Sequence, residues 1–236
     1  DGYIYGLTFD GTVTTARFVR LDKTYGVTNF GNIPSPSSTF GTVGIVNSAA
    51  GEVDTAGNYF FTGATVNPSG ANPTLDKFFL GKISNVASLT TGPAAVVYYE
   101  VDITNANCSN YVSTFTSDPS NSGLKDFSDN AKTKSFFAYV TYKPTGSPDF
   151  SGQVMEIKPT AGSSPLKYQL VCNATVNHHT AEVSGTLIDK SGKCTVLFTD
   201  GSFGFLNRDA LGNYTGAFTQ ITNATGLPNP LRGDMA

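Results

Sequence analysis

The chain has 236 residues, a formal net charge of −3 and a pI near 5.3, with 14% charged and 12% aromatic residues. No Lys/Arg cluster exceeds two residues in a short window, so nucleic-acid binding has no electrostatic footprint. No apolar run reaches the length of a membrane-spanning helix, and 17 Phe with 11 Tyr supply enough apolar surface to rule out a disordered chain.

With 25 Gly, 12 Pro and 51 Ser/Thr, the chain favours short strands joined by many turns. In chain order, strands are expected at 3–8, 16–21, 41–47, 58–64, 77–83, 95–103 and 111–116. They continue at 135–143, 152–158, 167–175, 181–188, 194–199, 203–206 and 214–221, and weaker segments at 28–33 and 124–128 bring the total to about sixteen. Turn signals such as Asp10-Gly11, Asn67-Pro68-Ser69-Gly70, Asn121-Ser122-Gly123 and Asp200-Gly201 separate them. No helical periodicity persists over a helix length.

One phrase recurs four times: an Asp-anchored turn, an aromatic strand, a second turn and an alternating strand. Its anchors are Asp1, Asp54, Asp129 and Asp189. Sixteen strands in four copies predict an all-β, propeller-like fold of about four four-stranded blades, open or incomplete, with approximate bounds 1–50, 51–123, 124–180 and 181–236. A β-sandwich is the alternative. The phrase is already under way at Asp1, which predicts a unit completed by something outside this chain.

The repeating segments also resemble a known group. Asp-Gly-Tyr-Ile-Tyr-Gly at 1–6, Phe-Val-Arg-Leu-Asp at 18–22 and Phe-Gly-Asn-Ile-Pro at 30–34 look like one blade of a β-propeller-like repeat domain of unknown function, found in secreted and surface-attached proteins. Segments 50–61, 124–129 and 185–193 are similar to further blades, and 227–236 resembles a terminal segment returning to the ring. The resemblance implies a secreted β-propeller without a known activity.

Three cysteines leave at least one without an internal bridge. Either all are buried thiols, or Cys172 and Cys194 join neighbouring strands and Cys108 pairs elsewhere. Sequons mark Asn107, Asn173, Asn213 and Asn223 as glycosylation candidates. Chance accounts for that number among 18 Asn and 51 Ser/Thr, so the count carries no argument for secretion; the polar, weakly charged surface leans extracellular.

His178 and His179 are the only histidines, and adjacent strand positions point to opposite faces, so no metal or cofactor is implied. Glu52 with Asp54, and Glu100 with Asp102, are two apart and would project from one strand face, the geometry of paired carboxylates. The competing reading is a solvated face or a turn cap. Asp54-Thr55-Ala56-Gly57 and Asp189-Lys190-Ser191-Gly192 lack the further acids of a calcium loop and read as turns. Arg232-Gly233-Asp234 reads as a closing turn rather than a receptor tripeptide. Tyr98, Tyr139 and Tyr142 are candidates for stacking on sugars, with Tyr99 the neighbour that faces the other way.

These features favour a non-enzymatic extracellular or cell-surface structural protein that assembles into a fibre or layer, through self-association or with other extracellular proteins. The alternatives are a carbohydrate-binding module with glycan partners, and a lyase or hydrolase at the propeller axis. The last would need convergent carboxylates, Arg or His on the inner strands.

Overall fold

The computed structural model describes residues 2–9, 16–36, 45–46, 51–67, 74–92, 94–104, 127–130, 134–142, 150–179, 183–188, 193–198, 200–208, 210 and 214–223. Among these residues there are sixteen strands and one short 3-10 turn, Val86–Ser88. The chain is all-β.

The first sheet is an antiparallel meander of β1 (Ile4–Phe9), β2 (Ala16–Leu21) and β3 (Val27–Asn32). Next, β4 (Ile45–Val46) and β5 (Gly51–Val53) both pair with β6 (Tyr59–Asn67), which leads to β7 (Thr74–Ile83) and β8 (Val96–Asp102). A third run follows as β9 (Phe127–Asn130), β10 (Ser135–Tyr142), β11 (Phe150–Pro159) and β12 (Tyr168–His179). A short parallel pairing, Tyr168 with Val101 and Gln169 with Asp102, joins β12 to β8 and makes one nine-stranded sheet of the two runs. The last sheet is β13 (Val183–Ile188), β14 (Cys194–Phe198), β15 (Ser202–Arg208) and β16 (Tyr214–Asn223).

Strand alternation gives each run two faces, and the aromatic residues show how the faces meet. Phe18 and Phe30 leave the first sheet and pack with Tyr59, Phe61, Phe79, Ile83 and Val86; the Phe18 and Tyr59 rings lie 5.1 Å apart. The opposite face of β6 carries Phe60, whose ring lies 4.7 Å from Phe136 on β10. Beyond that run, β13 lies against β9 and β10, and β16 against β12. The runs therefore stack in chain order. Their leading strands also lie side by side, β1 by β5, β5 by β9 and β9 by β13.

Close stacking depends on glycines that receive rings. Gly81 stands opposite Phe61, and Gly63 opposite Phe79, in the β6–β7 register. A Cβ at either glycine would fall inside the facing ring, closer than real Cβ contacts occur.

Two of the described hairpin loops share one design. Asp54 accepts the Ala56 and Asn58 backbone N–H groups on Oδ1 at 3.0 and 2.8 Å, while Gly57 N–H donates to Asp54 O at 3.0 Å. Asp22 does the same for Thr24 and Gly26, each at 2.8 Å, and Tyr25 N–H donates to Asp22 O at 2.9 Å. Gly57 has φ +79° and Tyr25, its counterpart, φ +63°. Left-handed backbone costs a residue with a Cβ about 1 kcal/mol. Tyr25→Gly is therefore expected to stabilise the fold by a few tenths to about 1 kcal/mol, offset in part by glycine's unfolded-state entropy; a rise in the urea midpoint at unchanged slope checks it.

Cys194 is a buried thiol and forms no disulfide, so the Cys172–Cys194 bridge does not form. The strands are not neighbours: β12 pairs with β11 and β8, and β14 with β13 and β15. The strand expected at 111–116 and Cys108 lie outside the described residues.

Candidate carboxylate site

The leading strands bring acidic groups together where β5 meets β9. Alternation places Glu52 and Asp54 on one side of β5 and its turn. Glu52 pairs in register with Phe60, and Phe60 with Lys82. On the facing run, Asp129 pairs with Phe136, and Phe136 with Ile157. The Phe60–Phe136 contact presses these two rows together. The Asp129 backbone N–H donates to Glu52 Oε2 at 2.6 Å, tying β9 to β5.

Asp54 has two duties in this corner. Beyond its turn contacts, Asn58 Nδ2 donates to Asp54 Oδ2 at 2.9 Å, which fixes the carboxylate's orientation. Its charge also acts on its neighbours. Burial lifts the Asp129 carboxyl above the usual Asp range, and the negative charge of Asp54 adds to the rise, while a hydrogen bond from Thr55 N–H opposes it. Tyr168 is pushed up to about 12 by burial, with Tyr99 and Asp54 contributing; the Tyr99 and Tyr168 rings meet edge to face at 5.4 Å. A carboxyl with a raised pKa beside a second carboxylate is the arrangement that separates a proton donor from a proton acceptor.

The other carboxylate pair behaves differently. Glu100 is held by Lys77 at 2.8 Å and lies 3.9 Å from Lys167. Asp102 accepts Thr104 N–H and Oγ1–H at 2.9 and 2.7 Å, and these bonds hold its carboxyl below the usual range. Asp102 ends its strand as a turn cap.

Tyr98 is not an open sugar platform. Its ring packs against Phe61 and Phe79 at 6.2 and 5.3 Å, and its hydroxyl donates to Pro34 O. Burial raises its pKa well above the usual phenol range. Tyr139 and Tyr142 lie on β10, Asn173 and both histidines on β12, and Asn223 ends β16; their side chains lie outside the described residues. Asn107, Asn213, the Asp189 turn and Arg232-Gly233-Asp234 lie outside them altogether. Among the described residues no group of three or more His, Cys, Asp or Glu is arranged to hold a metal ion.

No protein-family model matches the chain, and no curated protein matches its sequence. Solved structures show a distant similarity to it. One is a Bacteroides caccae protein of unknown function, 12% identical over 88% of this chain with a TM-score of 0.46. A second is a bifunctional GH43-CE protein of Bacteroides eggerthii, 13% identical over 98% of the chain with a TM-score of 0.44. A third is an engineered GH43 glycoside hydrolase displaying endo-xylanase and exo-arabinofuranosidase activity, 12% identical over 98% with a TM-score of 0.32. The chain spans 57%, 26% and 53% of those three chains.

The expectation of a protein without catalytic activity is corrected at this point, because the structural neighbours include GH43 proteins, one of them a working glycoside hydrolase. The likeness assigns no activity to this chain.

Proposed function

We propose that this chain is a carbohydrate-directed hydrolase, built on a propeller-like stack of four blades and working outside the cell. The observation that carries the reading is the meeting of Glu52, Asp54 and Asp129 where β5 touches β9, with the Asp129 carboxyl raised. Convergent carboxylates on leading strands are what an axis-centred hydrolase requires. In this reading Asp129 protonates the oxygen of the departing group, and Asp54 acts as the partner carboxylate, oriented by Asn58. Glu52 is a positioning residue, because its carboxylate grips the Asp129 backbone rather than reaching for substrate.

The test is release of reducing ends from a panel of aryl glycosides and polysaccharides. Activity on at least one member is expected. Glu52→Gln, which keeps an acceptor for the Asp129 N–H, should retain more of it than Glu52→Ala. Equal activity in both variants and the unmodified chain removes Glu52 from the site, and a panel that yields no reducing ends removes the reading.

A further inference from the structure

Arg20, Lys82 and Lys158 are each the last residue but one of their strands, β2, β7 and β11. All three stand on the face turned toward the next run. Arg20 shares its face of β2 with Phe18, Lys82 stands in the row of Glu52 and Phe60, and Lys158 lies on the side away from Met155 and Ile157. They also share one rim, the one that carries the Asp54 turn. Arg20 Nη1 donates to Leu89 O at 3.4 Å. Leu89 closes the 3-10 turn whose Val86 N–H donates to Gly57 O, inside the Asp54 turn, at 2.9 Å. Lys82 is in register with Phe60, one residue past the end of that turn's first pair, Tyr59 with Ile83. The β10–β11 register places Lys158 by Ser135, where β10 begins.

These cations are committed differently. Lys158 pairs with the buried Glu156 at 2.9 Å. Arg20 lies 4.5 Å from the centre of the Tyr3 ring, and the Lys82 ammonium 5.7 Å from that of Phe60. Among the described residues neither has a carboxylate within ion-pair distance. A ring face attracts a cation without neutralising it. Lys82 is half-buried, and its register partner Val97 is exposed, so this edge of the row is open to solvent. Two strand spacings, about 10 Å, separate Lys82 from Glu52 along the row. Lys134 is exposed in the turn that follows β9 and Asp129.

We propose that the substrate is an acidic glycan, one whose sugars carry a carboxylate or sulfate, and that Lys82 receives the anionic group of a sugar beside the scissile bond, a placement that rests on the hydrolase reading. Arg20 and Lys134, from the preceding and following runs, extend the positive edge. A lysine suits a polymer because its compact charge on a flexible stem follows the anion. The chain as a whole carries −3 and repels polyanions, so binding of one must be local to such an edge.

The experiment is affinity electrophoresis of the 236-residue chain through native gels holding polygalacturonate, dextran sulfate or linear arabinan, with Lys82→Gln and Arg17→Gln variants. Arg17 stands near the other end of β2, so its variant loses the same charge away from the rim. Polygalacturonate, dextran sulfate or both should slow the chain, which names the anionic group, and arabinan should not. Lys82→Gln should raise the dissociation constant about two- to fivefold, the worth of one exposed charge pair. Arg17→Gln should leave it unchanged. Arabinan slowing the chain as strongly as the acidic polymers overturns the proposal. So does a chain that neither acidic polymer slows, a Lys82→Gln variant that binds like the unmodified chain, or an equal loss in both variants. Slowing by an acidic polymer, joined to a panel that yields no reducing ends, removes the hydrolase reading and keeps the anion site. Reducing ends from neutral glycans, with no slowing by either acidic polymer, does the reverse.

Discussion

Phe61→Ala is expected to destabilise the protein by about 3–5 kcal/mol, the usual range for removing a fully buried phenylalanine. Phe61 is 1% exposed and lies within the cluster that joins the first sheet to β6–β8. Its ring covers Gly81, so the reverse change should also be costly. A methyl group at Gly81 meets the ring edge at a distance no real contact adopts, and overpacking of this kind costs about 1–3 kcal/mol. The two changes should not add. Phe61→Leu in the Gly81→Ala background should recover part of the loss, because the smaller side chain vacates the space the methyl needs. Denaturant unfolding of the four proteins measures the coupling; strict additivity would show that the ring and the glycine do not meet.

Asp129→Asn is the second large effect. If the Asp129 proton is transferred to the leaving group, its loss should lower kcat by about 10²–10⁴-fold. Stability should move the other way. The folded state holds the Asp129 carboxyl above its ordinary value, so the folded protein binds the proton more tightly than the unfolded chain. Stability then falls as pH rises from the ordinary Asp range through the raised value. Above that window the fold carries a disfavoured charge, which Asn removes. Asp129→Asn should therefore unfold at a higher temperature than the unmodified protein at pH 7, with the difference shrinking at pH 3. Thermal melts at the two pH values check the sign. Greater stability joined to lost activity is the pattern of a functional group retained at a cost to the fold.

Much of the fold was legible because alternation reports directly on burial. The stretch expected at 95–103 is β8, and the expected turn at Asp54 is a backbone-capping loop. β5 escaped notice because Gly51-Glu52-Val53 is too short to show a period. Of the two alternatives for the cysteines, buried Cys194 fits the thiol one; the sequence leaves both open because nearness in sequence does not say which strands share a sheet. Tyr98 was misplaced because a tyrosine on an alternating strand reads the same whether its hydroxyl meets water or Pro34 O.

The carboxylate site was half legible. Spacing on one strand gave Glu52 and Asp54. Asp129 comes from a run seventy-odd residues further along, where no local pattern points to it. Its signal was the repeat itself. Asp54 and Asp129 are successive anchors of the recurring phrase, and stacking the runs with their leading strands side by side brings those anchors to one place.

The most direct test of the acid–base reading is the pH dependence of kcat for glycoside hydrolysis, measured on the unmodified protein and on Asp129→Asn. The unmodified protein should lose activity as pH rises through a value above the ordinary Asp range. The variant should lack that limb and retain a small residual rate. An identical alkaline limb in both proteins, at undiminished rate, would contradict the assignment of Asp129 as the proton donor.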